Sequence, residues 1–147
     1  MNEYAPSEGK RWRILVAITG TTEGQRALEH AIELAARTGS ELVGLVIEGR
    51  LPAYPTTVGE VDAERHRRRP FFDTITRLAV DQAAEHGLDV DIRRRPGPIV
   101  RALSREATAS SVDVIVIGRP PRLQSIVFLP KLASLIKRLH CPILIAP

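Results

Sequence analysis

The sequence contains only one cysteine, Cys141, so no internal disulfide bond can form and disulfide-stabilised scaffolds are excluded. Its four histidines, at positions 30, 66, 86 and 140, lack the spacing of zinc ligands, and we expect no metal site. Aromatic residues make up 4% of the chain. They do not alternate with the arginine clusters Arg67–Arg69 and Arg93–Arg95, and acidic residues stand close to both, so we expect no nucleic-acid binding.

Long apolar runs are also absent. No run approaches the roughly 18–20 residues that a membrane-spanning helix needs, and segment 1–10 is polar, without the apolar core of a secretion signal. We therefore expect a cytoplasmic protein that does not associate with membranes, with residues 1–11 flexible. The 21 basic and 17 acidic residues give a net charge of +4, a modest surplus that is compatible with a small anionic ligand.

The length of 147 residues and the hydrophobic content of 44% predict a single domain, residues 1–147, with a packed core. Short apolar runs without strict alternation are typical of strands that are covered on both faces, as in a parallel sheet. Four such runs are present: Ile14–Ile18, Leu42–Ile47, Val114–Ile117 and Ile143–Ala146. A fifth predicted strand, Asp89–Arg95, alternates polar and apolar residues, so we expect it to lie at an edge or to have one face in solvent.

Apolar residues at helical spacing predict four helices: Thr22 to Gly39, about Phe71 to His86, Pro98 to Ala109, and about Pro130 to Leu139. Thr22, with Gln25 three residues later, is expected to cap the first of them. Glycines and prolines predict an irregular loop over residues 49–69. Five strands that alternate with four helices indicate the α/β class, with an open, doubly wound sheet.

In an open parallel sheet, ligands bind beyond the carboxyl ends of the strands, where the strand order reverses. After the first strand the chain carries Thr19, Gly20, Thr21 and Thr22. Their hydroxyls and backbone N–H groups at a helix N-terminus favour an anion such as phosphate. The alternative is that Thr22 only caps the helix and Gly20 only makes the turn.

The fourth predicted strand runs into Gly118, which is followed by Arg119 and Arg122. The glycine lets the backbone approach a ligand and the arginines are suited to clamp phosphate; alternatively, the glycine only ends the strand and the arginines are solvated. The sequence contains no nucleophile elbow, P-loop or dinucleotide fingerprint. It therefore offers no catalytic residues, and we expect no enzyme activity.

Several segments together resemble the universal stress protein family: Arg13–Thr21, Leu42–Glu48, Pro96–Leu103, Val112–Gly118 and Cys141–Ala146. The resemblance covers nearly the whole chain. It implies five mainly parallel strands in the order 3-2-1-4-5, a homodimer and, in many members, ATP between the loop after the first strand and a glycine-rich loop after the fourth. The ligand crevice implied for this chain consists of Thr19, Gly20, Thr21, Thr22, Val46, Gly118, Arg119 and Arg122.

The family's ATP-binding residues are only partly present. Thr19 stands where ATP-binding members have aspartate, Pro121 stands at the second glycine of their glycine-rich motif, and Leu129 and Pro130 stand at its final Gly-Ser/Thr pair. Proline removes an N–H donor and restricts the backbone that would wrap phosphate. We therefore expect no cofactor and weak ATP binding.

The last predicted strand is apolar on both faces, yet the implied strand order places it at an edge of the sheet. Such an edge needs a cover, so we expect a homodimer through Ile143, Leu144 and Ile145. The resulting prediction is a non-catalytic regulatory module of the stress response. Two alternatives stay open: a family member that binds a nucleotide or another anion in an altered site, and a flavodoxin-like electron carrier with FMN, since Thr19–Glu23 also resembles the phosphate-binding loop of flavodoxins.

Overall fold

The computed structural model of the protein describes residues 11–48, 57–119, 130, 132–135, 137–139 and 141–147. The strands are β1 (Arg13–Ile18), β2 (Glu41–Ile47), β3 (Val90–Arg95), β4 (Val114–Gly118) and β5 (Ile143–Ala146). Between them lie the helices α1 (Thr22–Thr38), α2 (Val58–Glu85) and α3 (Ile99–Ala109). A fourth helix, α4, includes the helical residues 130, 132–135 and 137–138.

The strands pair in parallel in the order β3-β2-β1-β4-β5, which confirms the predicted fold class and strand order. β1 lies at the centre of the sheet and is covered on both faces, since Ile14 and Leu15, which point to opposite faces, are both fully buried. One face of the sheet packs against α1 and α2, and the other packs against α3 and α4. None of the helices that the structure describes is long and apolar enough to cross a membrane.

β3 lies at one edge of the sheet, as its alternating sequence predicts. Its arginines form ion pairs on both faces of the sheet. Arg94 contacts Glu48 at 2.9 Å and Asp73 of α2 at 2.6 Å. On the other face, Arg95 contacts Glu106 of α3 at 2.5 Å. These pairs join the edge strand to both helical layers.

The prediction of an irregular loop over residues 49–69 is wrong for the second part of this segment. α2 already begins at Val58, and Thr57 caps it through a capping box with the residue three positions later. The first part of the predicted loop, residues 49–56, lies outside the described residues. The same holds for residues 1–10, whose flexibility stays a prediction.

The first half of α2 has no apolar stripe because it lies beyond the carboxyl ends of the strands. Arg68 donates a hydrogen bond to the backbone carbonyl of Glu48, just after β2, at 3.4 Å. Arg67 and Arg68 both form ion pairs with Glu64 of the same helix. Most residues of α2 up to Pro70 are exposed. A helix that is surrounded mainly by solvent needs charged residues rather than a buried face, so apolar periodicity gives no signal for it.

Candidate functional site

The strand order reverses between β1 and β4, and this places the crevice of the fold beyond the carboxyl ends of these two strands. The chain turns after β1 at Gly20, whose φ of +76° suits glycine. Thr21, and not Thr22 as predicted, caps α1: its backbone is extended, and its hydroxyl accepts a hydrogen bond from the Gly24 N–H at 3.1 Å. Thr22 is the first helical residue.

Two hydroxyl groups of this turn form hydrogen bonds within the protein. The hydroxyls of Thr19 and Thr21 form a hydrogen bond with each other at 2.8 Å, and the Thr21 hydroxyl also satisfies the Gly24 N–H. Glu23 adds a carboxylate to the first turn of α1. A negative charge at this end of a helix is stabilised by the helix dipole and competes with an anionic ligand for it.

Gly118, at the end of β4, has a packing role. A Cβ atom at this position would lie 2.2 Å from the carbonyl oxygen of Glu23 and 2.5 Å from its carbonyl carbon. Only glycine allows β4 and the first turn of α1 to approach each other this closely. The presence of glycine here is thus explained without a ligand.

The other predicted crevice residues differ in their accessibility. Arg119 is exposed, its backbone N–H donates to the Ala146 carbonyl at 3.1 Å, and its guanidinium forms no ion pair with another described residue. Val46 is fully buried in the core and offers no surface to a ligand. Arg122 and the rest of segment 120–129 lie outside the described residues. Ligand binding by the predicted crevice residues stays a prediction.

Phe71 of α2 borders the crevice, although the sequence analysis does not single it out. A Cβ atom at Gly20 would lie 2.6 Å from Cζ of Phe71, so the tip of the ring rests against the turn after β1. Phe71 is 52% exposed, whereas the adjacent Phe72 is buried. Consecutive residues of a helix point about 100° apart, so two neighbouring phenylalanines cannot both face the centre of the core. That pair is the signal in the sequence that could have indicated an exposed ring.

A cavity of about 570 Å³ lies at the opposite end of the strands from the crevice, near the amino ends of β1, β2 and β3. Six charged side chains line it, and four of them form ion pairs with each other: Arg13 contacts Glu41 at 2.9 Å, and Arg93 contacts Asp91 at 2.9 Å. Because most of the lining charges are neutralised within the protein, we assign no ligand to this cavity. Among the described residues, no group of three or more His, Cys, Asp or Glu side chains is placed to hold a metal ion.

Glu106 and Cys141, which lie away from the crevice, have shifted pKa values. Burial would raise the pKa of Glu106, but hydrogen bonds from Ser110 and Arg95, together with the positive charges of Arg95 and Arg93, outweigh it and hold the pKa below its ordinary value. Burial raises the pKa of the Cys141 thiol, and the negative charge of Asp113 adds to this effect. Both effects favour the protonated form of the thiol. The Glu106 carboxylate has a structural role, because it joins α3 to β3.

An open parallel sheet with helices on both faces and a crevice where the strand order reverses defines a class of α/β ligand-binding domains. Within this class, the model of the universal stress protein family matches residues 11–147. The chain belongs to the universal stress protein family. This assignment sets aside the alternative of a flavodoxin-like electron carrier. Comparison with curated proteins gives no significant match.

Solved structures of this family share the fold. A member from Burkholderia pseudomallei has 23% sequence identity and a TM-score of 0.67, over 100% of this chain and 99% of that chain. UspA from Lactobacillus plantarum has 16% identity and a TM-score of 0.78, over 95% of this chain and 100% of that chain. A universal stress protein in complex with cAMP has 22% identity and a TM-score of 0.68, over 92% and 96% of the two chains. Likeness at these identities establishes the fold alone.

Proposed function

We propose that this protein is a non-catalytic regulatory module of the stress response, which acts as a cytoplasmic homodimer and binds ATP weakly. Membership of the universal stress protein family supports the role in the stress response. The observation that carries the proposal for ATP is the engagement of the turn after β1. The Thr19 hydroxyl forms a hydrogen bond with that of Thr21, Thr21 caps α1, and Glu23 adds a negative charge to the first turn of this helix.

A small ligand with at most one phosphate suits the crevice better than a nucleoside triphosphate does. Arg119 offers one guanidinium that has no ion pair with another described residue, and a single positive charge matches a single phosphate. Several phosphates in a row would need several donors, and the hydroxyls of Thr19 and Thr21 already form hydrogen bonds within the protein. One structural relative is a complex with cAMP, which carries one phosphate.

Weak ATP binding is tested by calorimetric titration with Mg-ATP. We expect a dissociation constant of about 100 μM or higher, because a micromolar site needs about −8 kcal/mol and each absent charged hydrogen bond costs about 1.5–3 kcal/mol. Arg119→Ala should weaken the residual binding, whereas Arg77→Ala, at an exposed arginine of α2, should not. A dissociation constant below about 10 μM for the wild type, or phosphate release faster than in buffer, would contradict the proposal.

The exposed edge of the sheet supports the proposal of a homodimer. β5 lies at this edge, with β4 as its only neighbour in the described sheet. Leu144 and Ile145, which point to opposite faces, are 43% and 42% exposed, while Ile143 packs against the core. An apolar edge strand is prone to pair with another chain. A second copy related by a two-fold axis would cover both edges at once.

Negative charge at this edge should separate the subunits. The double variant Leu144→Asp, Ile145→Asp would place carboxylates without partners in the subunit contact, so we expect a monomer where the wild type is a dimer. Ile143 is left unchanged because it belongs to the core. The matched control is Leu78→Asp, at an exposed leucine of α2.

Light scattering at micromolar protein concentration measures the mass of each form, and circular dichroism shows that each is folded. A wild-type protein that is monomeric, or a folded double variant that is still dimeric, would rule out assembly through β5.

A further inference from the structure

Phe71 gives the crevice an exposed aromatic surface. The tip of its ring rests on the turn after β1, since a Cβ atom at Gly20 would lie 2.6 Å from Cζ and 3.3 Å from Cε1 of the ring. The Ile75 side chain reaches the same point, at 3.6 Å. About half of Phe71 nevertheless stays exposed. The ring thus contacts the turn after β1 with its tip, and its exposed part is accessible to a ligand.

Neighbouring residues hold the Phe71 ring in place. Phe72 meets it in an edge-to-face contact, with the ring centroids 5.2 Å apart and an angle of 69° between the ring planes. Phe72 is buried, and the guanidinium of Arg94 lies over its ring, 6.0 Å from the centroid. Arg94 is itself held by Glu48 and Asp73. A ring that is already fixed loses little conformational freedom when a ligand binds to it.

The charges around Phe71 favour a ligand of low charge. One turn earlier on α2, Arg67 and Arg68 both contact Glu64, so their positive charges are partly neutralised. On the other side of Gly20, Glu23 stands in the first turn of α1. A ligand with several phosphates would find few positive partners here. A neutral or singly charged ring does not need them.

We propose that Phe71 is a stacking platform in the crevice and selects planar aromatic ligands that carry no more than one phosphate. The ring of the ligand would lie against the exposed part of Phe71, next to the polar turn Thr19–Thr22. Stacking on an aromatic side chain is favourable and tolerates different ring systems, because each of them has a π face. The inference rests on the proposed function in that the crevice binds a ligand.

Binding of adenosine, AMP and ribose 5-phosphate to the full chain, measured by calorimetry, tests the platform. Phe71→Ala is expected to weaken the binding of adenosine and AMP by about tenfold or more, which is the usual effect of removing a stacking partner. Phe71→Trp keeps an aromatic face, so its affinities should stay within about threefold of the wild type. Leu78→Ala, at an exposed leucine of the same helix, is the matched control and should change neither affinity.

Ribose 5-phosphate separates the contribution of the ring from that of the phosphate. It has no base, so we expect it to bind about tenfold or more weakly than AMP and to be insensitive to Phe71→Ala. Thermal unfolding of each variant shows whether the fold is intact. The rescue by tryptophan distinguishes stacking from a purely structural role of the side chain.

The results also distinguish this inference from the proposed function. The proposal of a stacking platform is overturned if Phe71→Ala binds adenosine as tightly as the wild type does, or if Phe71→Trp loses as much affinity as Phe71→Ala. It is also overturned if the wild type binds neither adenosine nor AMP at about 1 mM. Tight binding of Mg-ATP would overturn the proposal of weak ATP binding instead. The platform would stand in that case, provided that Phe71→Ala still weakens the binding of adenosine.

Discussion

Gly118→Ala should lower the free energy of unfolding by about 3 kcal/mol or more. The added Cβ would lie 2.2 Å from the carbonyl oxygen of Glu23 and 2.5 Å from its carbonyl carbon, and both are backbone atoms of α1. A helical backbone cannot rotate aside as a flexible side chain can. α1 also packs on the sheet through a continuous buried face, so relief of the clash requires the whole helix to shift and loosens the core around it.

Gly59→Ala is the matched control for this substitution. Gly59 lies in the first turn of α2, is exposed, and has only the Thr57 hydroxyl oxygen near an added Cβ, at 3.9 Å. Because alanine has a higher helix propensity than glycine, the variant should be as stable as the wild type or slightly more stable. Urea denaturation at a fixed protein concentration measures both changes. A loss below about 1 kcal/mol for Gly118→Ala would mean that β4 and α1 adjust to each other easily.

Glu106→Ala should cost about 2–4 kcal/mol of unfolding free energy at pH 7. The carboxylate is fully buried and contacts Arg95 at 2.5 Å and the Ser110 hydroxyl at 2.7 Å. Its removal leaves both groups without this partner, although Arg95 is 39% exposed and regains part of its hydration. Glu33→Ala breaks only the exposed pair with Arg37 and should change the stability by less than about 0.5 kcal/mol. Equal effects of the two substitutions would show that the buried network adds nothing.

The same network predicts how the stability depends on pH. Burial opposes ionisation of Glu106, but Ser110 and Arg95 outweigh it, so the pKa in the folded protein lies below the ordinary value of 4.5. The unfolded chain takes up this proton at a higher pH than the folded protein does, and acid therefore favours unfolding. The contribution is complete above about pH 4.5 and is lost as the pH falls through the folded-state pKa.

Comparison of the wild type with Glu106→Gln isolates this effect, because glutamine keeps the shape of the side chain and does not titrate. The difference in unfolding free energy between the two proteins should be largest near neutral pH and should shrink in acid. Denaturant unfolding at a series of pH values measures it. The same difference at pH 7 and at about pH 3 would show that Glu106 is not the group responsible.

The strands could be predicted because each depends on a pattern within a few residues. An apolar run such as Ile14–Ile18 is stable only where both of its faces are covered, and a parallel sheet between two helical layers provides that cover. The alternating segment Asp89–Arg95 has only one apolar face, and the structure places its strand at an edge. The helical stripe of α1 likewise identifies the face that packs on the sheet.

α2 shows where such patterns fail. Its second half carries the buried residues Phe72, Ala79 and Ala83, and the apolar spacing predicts it. The first half is stabilised by its capping box and by the ion pairs of Glu64, and a segment of this kind has the composition of a loop. Pro70 also favours the prediction of a loop, because proline usually ends a helix, but α2 continues through it. The helical conformation of this first half is therefore known only from the tertiary structure.

The fold class, the edge position of β3 and the polar turn Thr19–Thr22 are encoded by residues that are neighbours in the chain. The tertiary structure alone explains the glycine at position 118, which meets the backbone of Glu23, and places the ring of Phe71 against Gly20. The partners in these contacts are far apart in sequence, and no local pattern in either segment indicates the other. They meet because parallel strands bring their carboxyl ends to one edge of the sheet, where the turns and helices that follow them must pack against each other.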